Sequence, residues 1–289
     1  MYGIQGQPPP STLKVCINRA GGFRNSMTAC LTGLDVEAKA KLIEEAFWAS
    51  CPYSPSDYAQ VTTALVRTDK EDPESNEQAV ALFRITVKDQ DEKKTGRVFA
   101  NAMTELALAT IPGFFGVGGG PAGGRPFGVY VPACIPSELV TQEVVLLGGD
   151  SHQVSCVIPP MDVDITPAAE REASTPGGPT RKLPLGTVFG SRSGDKGGNA
   201  NLGVFARSDE AWAWLDEFLT VERLRELLPE VAVLPVDRHR LPGLRSLNFL
   251  IHGLLEEGVA ASTRQDGQAK SLGEWLRSRH VEMPEALLP

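Results

Sequence analysis

The chain has 289 residues, 42% of them hydrophobic, enough to bury one full core and more naturally two of ordinary domain size. Lys and Arg total 28 against 36 Asp and Glu, and the net charge of -8 repels phosphate backbones and anionic bilayers, so neither nucleic acid nor a membrane is expected as a partner. MYGIQGQPPPSTLKVCI at the start lacks the basic flank and long apolar run of a signal peptide, and the protein reads as cytoplasmic.

LKVCI, 13–17, has the look of a short strand, followed by a turn at Gly21 and Gly22. Leu34, Ala38, Leu42 and Ala46 recur every four residues behind Asp35, which predicts an amphipathic helix over 35–50 with Asp35 as its N-cap. Strands are expected at 60–67 and 79–88, then a helix over about 94–110 that stops at Pro112 and Gly113. GFFGVGGGPAGGRPFG, 113–128, carries one charge, Arg125, and reads as a mobile loop or a cover over a ligand. VYVPACI and the two halves of EVVLLGGDSHQVSCVI read as strands, the latter pair forming a hairpin at Gly148 and Gly149. VVLLGGDSH imitates the opening of a serine esterase around Ser151, but the partner base is missing: only Asp237-Arg238-His239 approaches the DxxH that such chemistry needs.

Residues 1–158 are thus expected as one α/β domain, and 159–183, dense in Pro and Gly without apolar period, as a linker. From 184 to 289 the order ββαββα predicts a small two-layer α+β sandwich of ferredoxin-like kind. Its strands are LGTVFGSRS, ANLGVFARS, VAVLPVD and LRSLNFLIHG. Ser208 caps a helix facing inward through Ala211, Trp214, Leu215 and Phe218; a shorter helix follows Thr220, and the last, from about Asp266 to Arg279, buries Ala269, Leu272 and Leu276. Alternation sends Leu247, Phe249 and Ile251 one way and Asn248 and His252 the other.

Cys16, Cys30, Cys51, Cys134 and Cys156 include no CxxC pair, and their apolar surroundings read as reduced core thiols. The four histidines have no HxH or HxxxH spacing, so no metal site and no cofactor is evident.

The richest chemistry lies in GSRSGDKGGNANLG, 190–203. Read as a loop between two strands, it offers Gly194, Gly197 and Gly198 for positive φ, so that successive amides converge on an anion. Arg192 and Lys196 supply charge, Ser193, Asn199 and Asn201 hydrogen bonds, and Asp195 a base or an ion-pair partner. Asp195 and Lys196 are the expected catalytic pair, with Asn248 and His252 as further candidates. The same D-K-G-G is also good hairpin-turn chemistry, which leaves a purely structural role open.

GSRSGDKGGNANLGVFAR, 190–207, and RSLNFLIHGLLEEGVAASTRQDGQAKSLGEWLRSRHVEMPEAL, 245–287, resemble the C-terminal region of the acyclic terpene utilisation (AtuA-like) family. GPAGG at 120–124, IPSELV at 135–140 and GLDVEAKAKL at 33–42 resemble the later half of that family's main domain. The resemblance implies breakdown of branched terpenoids through acyl-CoA intermediates. It also implies a larger N-terminal α/β portion in other members, so that either a separate subunit supplies that half, within a homo- or hetero-oligomer, or this sequence is a fragment of a longer protein. Two functions are expected on these grounds. One is an enzyme or subunit binding a small acidic or acyl-CoA substrate for hydration, dehydration or C–C cleavage; the other is a non-catalytic assembly module of an acyl-CoA-processing complex.

Overall fold

A computed structural model describes residues 10–117, 120–154 and 174–289. Cys156 and most of the expected linker lie outside the described residues. The chain divides into two compact units, Arg19–Val129 and the combination of Met1–Asn18 with Tyr130–Pro289.

β1 (Thr12–Leu31), which belongs to the first unit from Arg19 onward, is one continuous strand, where sequence suggested a short strand and a turn. Gly22 absorbs the bend instead, with φ +106 and no room for a Cβ against the carbonyl of Asp89. Helix α1 (Val36–Ser50) comes next, then β2 (Gln60–Val66), β3 (Ala81–Asp89), α2 (Glu92–Thr95), α3 (Arg97–Glu105), β4 (Phe114–Gly116) and β5 (Arg125–Pro136). The sheet runs β2-β3-β1-β4, antiparallel throughout, with β5 also paired to β1.

Helix α1 sits where expected, but its inward stripe is Val36, Ala40, Ile43 and Phe47, while Leu34 is 82% and Leu42 47% exposed. A strict four-residue repeat drifts around a 3.6-residue helix, and the true stripe buries larger side chains than the alanines of the expected one. Asp35 holds the N-cap position in a left-handed conformation, φ 58, without a side-chain cap bond. Ile43, Phe47, Ile85 and Phe99 close the core, with the Phe47 and Phe99 rings edge to face at 5.2 Å.

The second unit holds a small hairpin, β6 (Gln142–Val145) and β7 (Ser151–Val154), every residue of which is exposed, Ser151 included. Then come β8 (Thr180–Pro184), β9 (Gly190–Lys196), β10 (Asn199–Phe205), α4 (Asp209–Phe218), α5 (Val221–Leu227), β11 (Val236–Leu241), β12 (Ser246–Ile251), α6 (Leu272–Ser278) and β13 (His280–Pro284). The end of the expected linker is therefore a strand, β8, paired antiparallel with β13. The main sheet has the order β11-β12-β10-β9, again antiparallel. One face carries Ala200, Leu202, Val204, Leu247, Phe249 and Ile251 into a core shared with Trp214, Leu215, Leu224, Leu272 and Leu276 of the helices. This is the expected ferredoxin-like α+β layer pair.

Ser208 caps α4 by accepting from Ala211 N, and Thr220 caps α5 in the same way. Three elements differ from expectation, the first being LGTVFGSRS, which opens as a turn, Leu185–Thr187, and becomes strand only at Gly190. VAVLPVD, 231–237, begins on the last residue of a single turn, Pro229–Val231, and the strand starts only at Val236, after Pro235, which has no N–H for a ladder. The last helix starts at Leu272 because Asp266 captures the amides of Lys270 and Ser271, at 2.9 and 2.8 Å, in a turn that leaves Ala269 at φ 52. Of the described cysteines, Cys30 and Cys51 are buried as expected, whereas Cys16 and Cys134 are exposed. Both lie on β1 and β5 outside the packed core, so the apolar neighbours in sequence do not imply burial.

Candidate functional site

The stretch expected as an anion-cradling loop is a tight hairpin. Strand β9 runs to Lys196 and β10 begins at Asn199, so only Gly197 and Gly198 form the turn. Gly197 has φ +66 and Gly198 does not have positive φ, the sign pattern of a II′ turn, whose twist suits the flanking strands. Gly194 lies in the ladder opposite Asn201, so successive amides of this segment alternate in direction and do not converge into a nest. The tip is packed: Gly198 accepts from Leu255 N at 2.9 Å, and a Cβ there would stand 2.2 Å from the carbonyl of Glu256. A Cβ on Gly197 would meet the Tyr130 ring at 2.9 Å.

Because the segment is strand, its polar side chains divide between two faces. Arg192, Lys196, Asn199 and Asn201 point away from the helices, with Asn248 and His252 on the same face. There Asn201 Nδ2 donates to Asn248 Oδ1 at 3.3 Å, and Asn199 Oδ1 accepts from Gly253 N at 3.0 Å. His252 Nε2 lies 2.7 Å from Asp237 Oδ2. Lys196 turns back to its own backbone, donating to the carbonyl of Asp195 at 2.9 Å. The expected catalytic neighbours Asp195 and Lys196 therefore face opposite sides of the sheet.

Ser193 and Asp195 face the other way, toward the turn that opens α6. Ser193 Oγ accepts from Gly273 N at 2.9 Å and donates to Lys270 O at 3.3 Å, which ties β9 to that turn. The turn itself is held by Asp266: burial alone would raise the pKa of this carboxyl, but hydrogen bonds from the Ser271 hydroxyl and from the Ser271 and Lys270 amides, with Arg264 nearby, outweigh it and hold the group below its ordinary range. Fixed in this way, Lys270 brings its Nζ to 3.7 Å from Asp195 Oδ1.

Lys270 also lines a cleft of about 540 Å³ together with Glu230, Arg264, Asp266, Leu272 and Trp275. Arg264 reaches Glu230 at 2.5 Å, while its Nε is buried without a hydrogen-bond partner among the described residues. Cations beside a wall of indole and leucine suit a ligand with an acidic end and a branched apolar body. Lys270, Arg264 and Trp275 escaped sequence reasoning because they lie some seventy residues from the hairpin and belong to no motif of their own. The one available signal was the run S-T-R-Q-D-G-Q-A-K-S, 262–271, too polar and glycine-broken for the helix assigned to its second half.

Among the described residues no three His, Cys, Asp or Glu side chains gather as metal ligands, and no helix is long and apolar enough to cross a membrane. A family model described as acyclic terpene utilisation family protein AtuA matches residues 1–146. A second, described as the AtuA ferredoxin-like domain, matches residues 183–282. No curated protein and no solved structure matches the chain.

Proposed function

Since the chain belongs to the acyclic terpene utilisation family AtuA, we propose that it is a cytoplasmic enzyme, or one subunit of an enzyme, acting on a small branched carboxylic acid or its acyl-CoA thioester. The observation that carries this reading is the Asp195–Lys270 pair, 3.7 Å apart, whose lysine lines a cleft together with Arg264 and the apolar wall of Trp275 and Leu272. In that role the Lys270 ammonium and the Arg264 guanidinium attract the carboxylate or thioester oxygen, where negative charge grows in an enolate or alkoxide. Asp195 takes or returns the proton, as hydration, dehydration and retro-aldol cleavage all require. Ser193 is a positioning residue: it bonds the Lys270 carbonyl and the Gly273 amide and so holds the Lys270 turn against the strand that carries Asp195.

Incubating the protein with short branched acyl-CoAs and free acids, with products followed by mass spectrometry, tests the proposal. Asp195→Asn and Lys270→Met should each abolish turnover while far-ultraviolet circular dichroism stays unchanged; full turnover in both variants would refute it.

A second reading, a non-catalytic assembly module, draws on the face of the sheet opposite the helices. Phe205, 37% exposed, and Leu241, 40% exposed, lie on the same face as Asn201 and Asn248. A partner subunit or a second copy seated there would mark that face as an interface. Substitution of Asn248 by Arg would then disrupt the assembly and leave ligand binding at Lys270 intact.

A further inference from the structure

The first unit holds a second concentration of positive charge. A cleft of about 280 Å³ opens between β1 and the glycine-rich segment leading into β5, lined by Arg24, Asn25, Ser26, Ala122, Gly123 and Arg125. Two of these six are guanidiniums and none is a carboxylate, in a chain whose net charge is -8.

The walls of this cleft are fixed. Asn25, only 9% exposed, donates from Nδ2 to Thr95 O at 2.8 Å and to Ala122 O at 3.0 Å, and its Oδ1 accepts from Ser26 N at 2.9 Å. One buried amide therefore clamps the glycine-rich segment to both β1 and the end of α2. Gly124 is pressed against Thr95, whose Oγ1 would lie 2.3 Å from a Cβ, so a side chain there would push the segment off. Gly123 differs, because a Cβ built on it has nothing within 4 Å. The Ser26 hydroxyl, 2.8 Å from Thr86 Oγ1, adds a polar group at the rim.

Arg24 is near Arg84: burial first, then the charge of Arg84, lowers its pKa below the usual arginine value.

We propose that this cleft is a binding site for a small oxyanion, a carboxylate or a phosphoryl group, held by Arg24 and Arg125 against the wall that Asn25 sets in place. Its size suits the end of a ligand or a small acid, and a planar guanidinium pair matches the oxygens of either group. The site belongs to the other unit from the Lys270 cleft and does not depend on it.

Titration of the full chain, labelled with nitrogen-15, with sodium phosphate and with sodium acetate against chloride at equal ionic strength tests the assignment. Saturable shifts of the amides at 24–26 and 122–125 are expected. Phosphate alone acting would identify a phosphoryl ligand, acetate alone a carboxylate, and both a general oxyanion site. Arg125→Ala should weaken binding about tenfold or more, the effect of losing one charge-assisted hydrogen bond. Gly123→Leu, which grows into open space on the lining, should block binding without removing a charge. Lys270→Met should leave it unchanged, which separates this site from the one proposed above. Absence of saturable shifts with both anions, or equal affinity in wild type, Arg125→Ala and Gly123→Leu, would overturn the proposal.

Discussion

Replacing Ser193 by Ala removes one oxygen and cuts two ties between β9 and the turn that opens α6. The Gly273 amide, in a buried residue, loses an acceptor 2.9 Å away, and the longer 3.3 Å bond to Lys270 O disappears with it. A buried N–H left without a partner costs about 1–3 kcal/mol, and a weak lost bond adds about 0.5 kcal/mol, so the expected destabilisation is about 2 kcal/mol. With a urea slope of about 2 kcal/mol/M, the midpoint of that unit falls by about 1 M. Tryptophan fluorescence is a suitable probe, because Trp212, Trp214 and Trp275 belong to this unit and only Trp48 to the other. A midpoint unchanged within error would show that Ser193 does not hold the turn, and the positioning of Lys270 would lose its physical basis.

Two further outcomes test the packing and the electrostatics. Ile43→Ala should cost about 2–4 kcal/mol and Leu42→Ala less than about 0.5 kcal/mol, since the first is fully buried and the second 47% exposed; equal costs in thermal melts would put the inward stripe of α1 elsewhere. Asp216 is partly desolvated, which alone would raise its pKa, but hydrogen bonds from Arg240 and Arg238 outweigh this and hold it below the ordinary carboxyl range. A depressed carboxyl pKa stabilises the fold above the unfolded value of about 3.9, and the contribution is lost as pH falls through the folded value. Asp216→Asn should therefore be less stable than wild type at neutral pH, with the gap closing below about pH 4 in urea titrations. A gap that widens in acid would contradict the assignment.

Much of the fold was legible because local signals agreed with one another. Ser208 and Thr220 cap the helices that follow them, and the alternation in LRSLNFLIHG placed Leu247, Phe249 and Ile251 in the core with Asn248 outside. Where the reading missed, a nearby competing interaction had won. Asp266 drew in the amides that a longer α6 would have used, and Pro229 and Pro235 delayed β11. The site was legible only in part. Glycine and charge in GSRSGDKGGNANLG marked a segment of unusual chemistry, but taking it for a loop hid the strand alternation that sends Asp195 and Lys196 to opposite faces. Lys270, the actual neighbour of Asp195, is brought there by tertiary contacts through Ser193 and Asp266, which no local pattern records.

Calorimetric titration of wild type and Lys270→Met with 3-methylbutanoyl-CoA tests the proposed cleft most directly. Saturable binding by wild type, weakened about tenfold or more in the variant through loss of one charged contact, is the predicted result. Equal affinity in the two proteins, or no binding by wild type, would contradict it.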